Sequence, residues 1–211
     1  MTFHSKVGVI DYGGGNIRSL LKALETLGTS PQLVTGPEQM ENIDLLFFPG
    51  QGAFGDCMQK LRQRDLVSGL VNWIRNDKPF FGICVGYQLL FESSEESPGI
   101  EGLSIFPGKV SRFPPGELQV PHMGWNSVTL RTPDTGPWEG LGQEPYFYYV
   151  HSFFPTPGDP ALTVGHTTYG VPFAGAIQRG RLLATQFHPE KSQKAGMRLL
   201  ANFLSSHSPQ S

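Results

Sequence analysis

Up to residue 92, apolar positions come in two alternating kinds of run. Lys6–Ile10 is a short apolar stretch suited to a first buried strand. Ile17, Leu20, Leu21, Leu24 and Leu27 then recur at spacings of three and four, predicting a helix with Asn16 as N-cap and Gly28 as stop. Gln32–Thr35 reads as a second strand and Asp44–Phe48 as a third. Asp65 caps a helix carrying Leu66, Val67, Leu70, Val71 and Ile74, which leads into the apolar run Phe80, Phe81, Ile83. Leu89, Leu90 and Phe91 begin a further helical face. The order β-α-β-β-α-β-α predicts an α/β fold with a mostly parallel sheet and right-handed crossovers.

Beyond Glu92 the rhythm changes. Ser93–Pro98 reads as polar loop, and 102–176 is rich in proline, glycine and strand-like runs such as Tyr146–Val150. Short strands separated by turns predict a mixed or antiparallel extension of the same domain, so that 1–211 forms one unit. Ala174–Gln178 and Leu182–Gln186, joined by Arg179-Gly180-Arg181, form a hairpin whose second strand runs into Phe187-His188-Pro189-Glu190. Met197, Leu199, Leu200, Phe203 and Leu204 mark a last helix.

Composition narrows the class. Hydrophobic residues make up 38% and charged residues 16%, a globular balance. A net charge of −2 offers no electrostatic case for nucleic acid or a membrane surface. Two cysteines, Cys57 and Cys84, are too few for a disulfide framework or a thiolate zinc site, so neither metal nor cofactor is expected. The opening residues have no basic segment followed by a long apolar core, and no later run approaches the length of a membrane span; a cytoplasmic protein is expected.

The candidate chemistry centres on Gly82-Ile83-Cys84-Val85-Gly86. A cysteine among apolar residues is most often a small buried hydrophobe. Here, however, it stands where a strand meets a helix, with glycines two positions to either side, the spacing of a nucleophile elbow. Such a turn lifts the thiol above the sheet, and helix-end N–H groups favour the thiolate. The Val85 N–H would face the oxyanion formed when a carbonyl is attacked. Pro49-Gly50-Gln51-Gly52 follows a strand and could supply the other oxyanion donors, or simply be a turn that needs glycine. Asp11-Tyr12-Gly13-Gly14-Gly15-Asn16 lacks the spacing and the lysine of a phosphate cradle and reads as a tight turn. Cys57, inside a helix, reads as structural.

A cysteine nucleophile needs a base and a group to orient that base. His188 ends a strand as Cys84 does, and Glu190 follows across a stiffening proline. His122 and His151 rival it on chemistry alone, while His4, His166 and His207 read as surface residues.

Gly82-Ile83-Cys84-Val85-Gly86-Tyr87-Gln88-Leu89-Leu90, followed a hundred residues later by Phe187-His188-Pro189-Glu190, resembles the class I glutamine amidotransferases. Asp11–Asn16, Pro121-His122-Met123-Gly124-Trp125-Asn126 and Tyr149-Val150-His151-Ser152-Phe153 are similar to the glutaminases of imidazole glycerol phosphate synthase. The resemblance implies a three-layer, flavodoxin-like fold and glutamine hydrolysis, with Cys84 as nucleophile, His188 as base and acid, and Glu190 as its orienter. It places Gly50, Gln51, Gly52 and Val85 at the oxyanion and Gln88, Ser152 and Phe153 on glutamine. Asn126, Tyr148 and Lys191 would face the partner, a separate cyclase subunit that uses the ammonia in histidine biosynthesis. Gln51 departs from the small or branched apolar residue more common there, and Val85 and Tyr87 from leucine and methionine. Competing readings keep the fold and change the customer, as in a pyridoxal phosphate synthase, or make the chain a silent regulatory subunit or a cysteine peptidase.

Overall fold

In the computed structural model, which describes residues 5–14 and 17–207, the early apolar runs become adjacent strands of one sheet. The first half of the chain supplies β1 (Val7–Ile10), α1 (Ile17–Thr26), β2 (Gln32–Val34), β3 (Leu45–Gly50), α2 (Phe54–Gln63), α3 (Leu66–Arg75), β4 (Phe80–Cys84) and α4 (Val85–Gln88). Next come β5 (Phe91–Ser94), β6 (Phe106–Arg112), β7 (His122–Ser127), β8 (Thr129–Leu130), β9 (Tyr146–His151) and β10 (Phe153–Pro157). The chain closes with β11 (Thr163–Tyr169), β12 (Val171–Arg179), β13 (Leu182–Thr185) and α5 (Gln193–His207).

The main sheet has the order β2-β1-β3-β4-β13-β12-β11-β8. Strands β2, β1, β3, β4 and β13 pair in parallel, and β12, β11 and β8 extend the sheet antiparallel. Every residue of β1, β3, β4 and β13 is buried, which is why these strands read as unbroken apolar runs rather than alternating ones. Phe47 and Phe81 turn to one face, where Phe203 of α5 packs with ring centroids 5.9 and 4.9 Å away. Phe48 and Phe80 turn to the other, 6.2 Å apart, with Tyr12 edge-on to Phe48. Truncating rings buried this fully costs ~3–5 kcal/mol each, so these two aromatic layers anchor the strands that carry the site. A three-stranded sheet, β10-β6-β5, and the antiparallel pair β7-β9 stand beside the main sheet.

Several expectations need correction. The helix after Cys84 is a single turn: Leu89 and Leu90 form a turn, and Phe91 opens strand β5 instead of continuing a helical face. Leu89, Leu90 and Phe91 are all fully buried, so burial rather than amphipathic periodicity explains their run. Ser93 and Ser94 belong to that strand, not to a loop. Two helices, α2 around Cys57 and α3 after Asp65, separate β3 from β4; both were expected from the residues, though the β-α-β-β-α-β-α order counted one. Asp65 precedes α3 in a left-handed conformation, φ 55°, and its carboxylate makes no cap bond. Gly28 does end α1 with φ 87°, whereas the Asn16 cap lies outside the described residues.

Candidate active site

Parallel pairing of β3, β4 and β13 places their C-terminal ends side by side, with Gly50 opposite Cys84 and Thr185 opposite Ile83. The loops that leave these ends therefore meet above the middle of the sheet, where open α/β folds hold ligands. Cys84 sits there with φ 54° and ψ −109°, a backbone conformation costing a side chain on the order of 1–3 kcal/mol. The flanking glycines allow it. A Cβ on Gly86 would collide with the Phe48 carbonyl, and one on Gly82 would lie 3.1 Å from the Gly86 oxygen and 3.3 Å from Ala184 Cβ. The elbow spacing thus reflects crowding from β3 and β13 on both sides.

Cys84 opens onto a cavity of about 370 Å³. Its walls include Gln51, Val85, Gln88, Glu96, Ser152, Phe153 and His188. His188 arrives three residues after β13 ends, and its N–H donates to the Tyr148 carbonyl at 2.9 Å. Ser192 locks the turn, donating its hydroxyl to the His188 carbonyl at 2.6 Å and accepting from the Tyr148 N–H at 2.9 Å. Within that turn Glu190 Oε1 lies 2.8 Å from His188 Nδ1, both side chains being about 95% or more buried. Nδ1 is thereby committed, and the buried Nε2, which has no hydrogen-bond partner among the described residues, is the ring nitrogen left available. Burial works against charge on this imidazole; the Cys84 thiolate and the Glu190 carboxylate outweigh it and raise the pKa to about 10. Cysteine, histidine and glutamate are the residue types of an acyl-transfer nucleophile, its base and the carboxylate that orients the base.

The rival histidines are brought close but given other work. His151 Nδ1 is 2.8 Å from the Phe153 carbonyl and His122 Nδ1 is 3.1 Å from His151 Nε2. Burial pushes His122 down to about 4 and His151 to about 3, so neither is a charged partner for a thiolate near neutrality. His166 is exposed as expected; His207 is half-buried, with Nδ1 2.9 Å from the Phe203 carbonyl, and His4 lies outside the described residues.

Comparison with known proteins decides the family. The family model described as glutamine amidotransferase class-I matches residues 8–206. The chain is a class I glutamine amidotransferase. Curated relatives include the imidazole glycerol phosphate synthase subunit HisH of Synechococcus elongatus, 46% identical over 202 residues, which cover 94% of this chain and 92% of that one. The protein of the same name from Methylococcus capsulatus is 45% identical, with 95% and 96% covered. Among solved structures, a crystal structure of a glutamine amidotransferase superposes with a TM-score of 0.74 at 20% identity, covering 95% of this chain and 98% of its own, a likeness of fold.

Within this amidotransferase, Gln88, Ser152 and Phe153 converge on the cavity, and Gln88 Nε2 donates to the Phe153 carbonyl at 2.9 Å. Gly50 ends β3 beside Val85 and Gly86, bringing the proposed oxyanion segment against the elbow. The Gln51 N–H, however, donates to Tyr12 Oη at 3.3 Å, and the Gln51 carbonyl accepts from Tyr12 at 3.4 Å and from the Cys57 thiol at 3.6 Å. Cys57 is buried as a structural thiol should be, and Tyr12 gives the glycine turn after β1 a concrete task. Asn126 spends its amide on the Thr168 carbonyl, 2.9 Å, and His122, while Tyr148 and Lys191 are half-buried. Sequence reading missed two residues. Glu96 lines the cavity and accepts from the Phe54 N–H at 2.7 Å; nothing in its local pattern marks it. Gln186 is fully buried and donates to Cys84 Sγ at 3.7 Å; its place two residues before His188, on the same strand end, could have flagged it.

Proposed function

We propose that the chain, acting as one glutaminase domain over 1–211, hydrolyses glutamine to glutamate and ammonia and delivers the ammonia to a separate cyclase subunit of imidazole glycerol phosphate synthase in the cytoplasm. The observation that carries the chemistry is the convergence of Cys84 and His188, with Glu190 hydrogen-bonded behind His188, on a cavity also lined by Gln88, Ser152 and Phe153. The customer is inferred from the names of relatives about 45% identical along nearly the whole chain.

In this reaction the Cys84 thiolate forms a bond to the side-chain amide carbon of glutamine, and the carbonyl π electrons move onto oxygen. As the tetrahedral adduct collapses, the C–N bond breaks and His188 Nε2 gives its proton to the departing nitrogen, releasing ammonia and leaving a thioester. Neutral His188 then takes a proton from water, whose oxygen attacks the thioester; the thiolate departs and glutamate forms. Glu190 keeps Nδ1 protonated throughout. The carboxylate of Glu96 suits the ammonium end of an amino acid. Val85 N–H is one oxyanion donor, and the Gly50–Gly52 segment supplies another once the Gln51 N–H leaves Tyr12. A loaded partner is the natural trigger, since hydrolysis without an acceptor wastes glutamine.

Docking falls on the strand pair β7-β9, which exposes Met123, Trp125 and Tyr146 beside the strand end that lines the cavity. Asn126, Tyr148 and Lys191 lie near this face. The test is glutamate release by the chain alone, with the cyclase, and with cyclase plus its ribonucleotide ligand. A low rate alone that climbs steeply in the last condition supports the assignment. Full activity indifferent to both leaves a glutaminase and removes the account of whom it serves.

A further inference from the structure

The buried histidine pair has no part in the triad, yet every polar atom around it is paired in one order. At one end stands the Phe153 carbonyl, which can only accept, so His151 Nδ1 must carry a hydrogen. His151 Nε2 is then an acceptor if the ring is neutral, and His122 Nδ1, 3.1 Å away, is its donor. That leaves His122 Nε2 to accept from Asn126 Nδ2 at 3.3 Å. The Asn126 amide is itself oriented from both sides. Its oxygen accepts from the Ser127 N–H at 2.8 Å and its nitrogen donates to the Thr168 carbonyl at 2.9 Å. An additional proton on either ring would set two donors against each other. Hydrogen-bond accounting alone makes both rings neutral, and burial acts in the same direction. Tyr149 and Tyr169 stack on the two faces of His122 with centroids 4.8 and 4.0 Å away, leaving little freedom to turn.

The order continues beyond the pair. Both lone pairs of the Phe153 carbonyl are used, one by His151 and one by Gln88 Nε2. The second Gln88 hydrogen goes to Gln186 Oε1 at 3.1 Å, and Gln186 Nε2 in turn donates to Cys84 Sγ. Gln88 itself lines the cavity.

We propose that His122 and His151 are neutral positioning residues whose fixed proton order, running from Asn126 to the Phe153 carbonyl, holds the Gln88–Gln186 amide pair beside Cys84 and so shapes the glutamine pocket. This rests on the glutaminase reading. Losing the His151 donor frees the Phe153 carbonyl and lets the Gln88 amide rotate, which weakens binding of glutamine more than the chemistry performed on it.

The experiment measures kcat and KM for glutamine in the assembled enzyme for wild type, His151→Leu, His151→Asn and His122→Phe. His151→Leu removes the donor, while His151→Asn keeps an N–H at the place of Nδ1. His122→Phe keeps the stacked ring and removes its N–H. The expected result is a KM raised about tenfold in His151→Leu, the size of one lost hydrogen bond to a pocket group, with kcat within about threefold. His151→Asn recovers most of that loss, and His122→Phe falls between. An unchanged KM in His151→Leu, or equal losses in the Leu and Asn variants, overturns the proposal. Should His151→Leu fail to fold, nitrogen-15 NMR of the wild-type chain near pH 7 decides it. Both rings must show the neutral Nδ1–H form, and Nε2–H or imidazolium on either refutes the wiring. A wild type that never hydrolyses glutamine removes the parent reading, while the NMR result still judges the proton order by itself.

Discussion

Removing the Cys84 sulfur should discharge His188. In the intact site this imidazole has its pKa raised from 6.5 to about 10 even though burial opposes its charge. The difference of 3.5 corresponds to a preference for the imidazolium on the order of 5 kcal/mol, and the thiolate and the Glu190 carboxylate must supply more than this because they also overcome desolvation. Cys84→Ala deletes one of the two negative neighbours and leaves the burial, so the sign is unambiguous: the charged form loses support and the pKa drops. The methyl group fits where the sulfur was and leaves the elbow backbone as it is. NMR titration of the His188 ring between about pH 5 and 10 should show an imidazolium at pH 8 in wild type and a neutral ring at pH 8 in Cys84→Ala. A variant whose His188 remains charged at pH 8 would mean that Glu190 alone holds the proton, and the thiolate–imidazolium account of the resting site would be wrong.

Cys84→Ala should also abolish ammonia release while the chain stays folded; substantial remaining glutaminase would remove Cys84 as the nucleophile. Glu190→Gln is expected to slow glutamine turnover less than His188→Ala, since an orienter acts through the base it orients, and equal losses in steady-state rates would contradict that division. Gly86→Ala must push a methyl group into the Phe48 carbonyl, so it should cost more than about 3 kcal/mol and yield little soluble chain, whereas normal expression and melting would show that the elbow can widen. His122 and His151, neutral in the fold at about 4 and 3, contribute stability that is fully present above about pH 6.5 and is lost as pH falls through those values. Denaturant midpoints followed from pH 7 to 4 should therefore fall by the equivalent of a few kcal/mol, and less steeply in His151→Asn; identical slopes would place the acid sensitivity elsewhere.

Local pattern carried much of this protein. Near-continuous apolar runs identify β1, β3, β4 and β13 because a strand covered on both faces admits a polar side chain only where it is hydrogen-bonded, as Thr185 is to the Phe187 carbonyl. Glycines at 82 and 86 betray the elbow because a Cβ at 86 collides with the Phe48 carbonyl and one at 82 is crowded by the Gly86 oxygen and Ala184, and that pressure is written into the residue type. His188 and Glu190 could be paired from sequence since two residues and a proline confine them to one turn.

Tertiary packing decided the rest. The run Leu89–Phe91 looks helical and is not, because complete burial erases the periodicity that separates helix from strand. Which histidine shares a turn with a carboxylate at the Cys84 cavity depends on which strand lies beside β4. Pairing with β13 brings His188 to the cavity with its Nδ1 on Glu190, while His151, also on the cavity wall, and His122 on the β7-β9 pair have their Nδ1 atoms engaged with the Phe153 carbonyl and with each other. Glu96 reaches the cavity and the Phe54 N–H 42 residues away, Gln186 reaches Cys84 across 102 residues, and the Gln51 N–H is drawn toward Tyr12, 39 residues away. Such contacts depend on the register of strands remote in sequence, which no window of neighbouring residues contains.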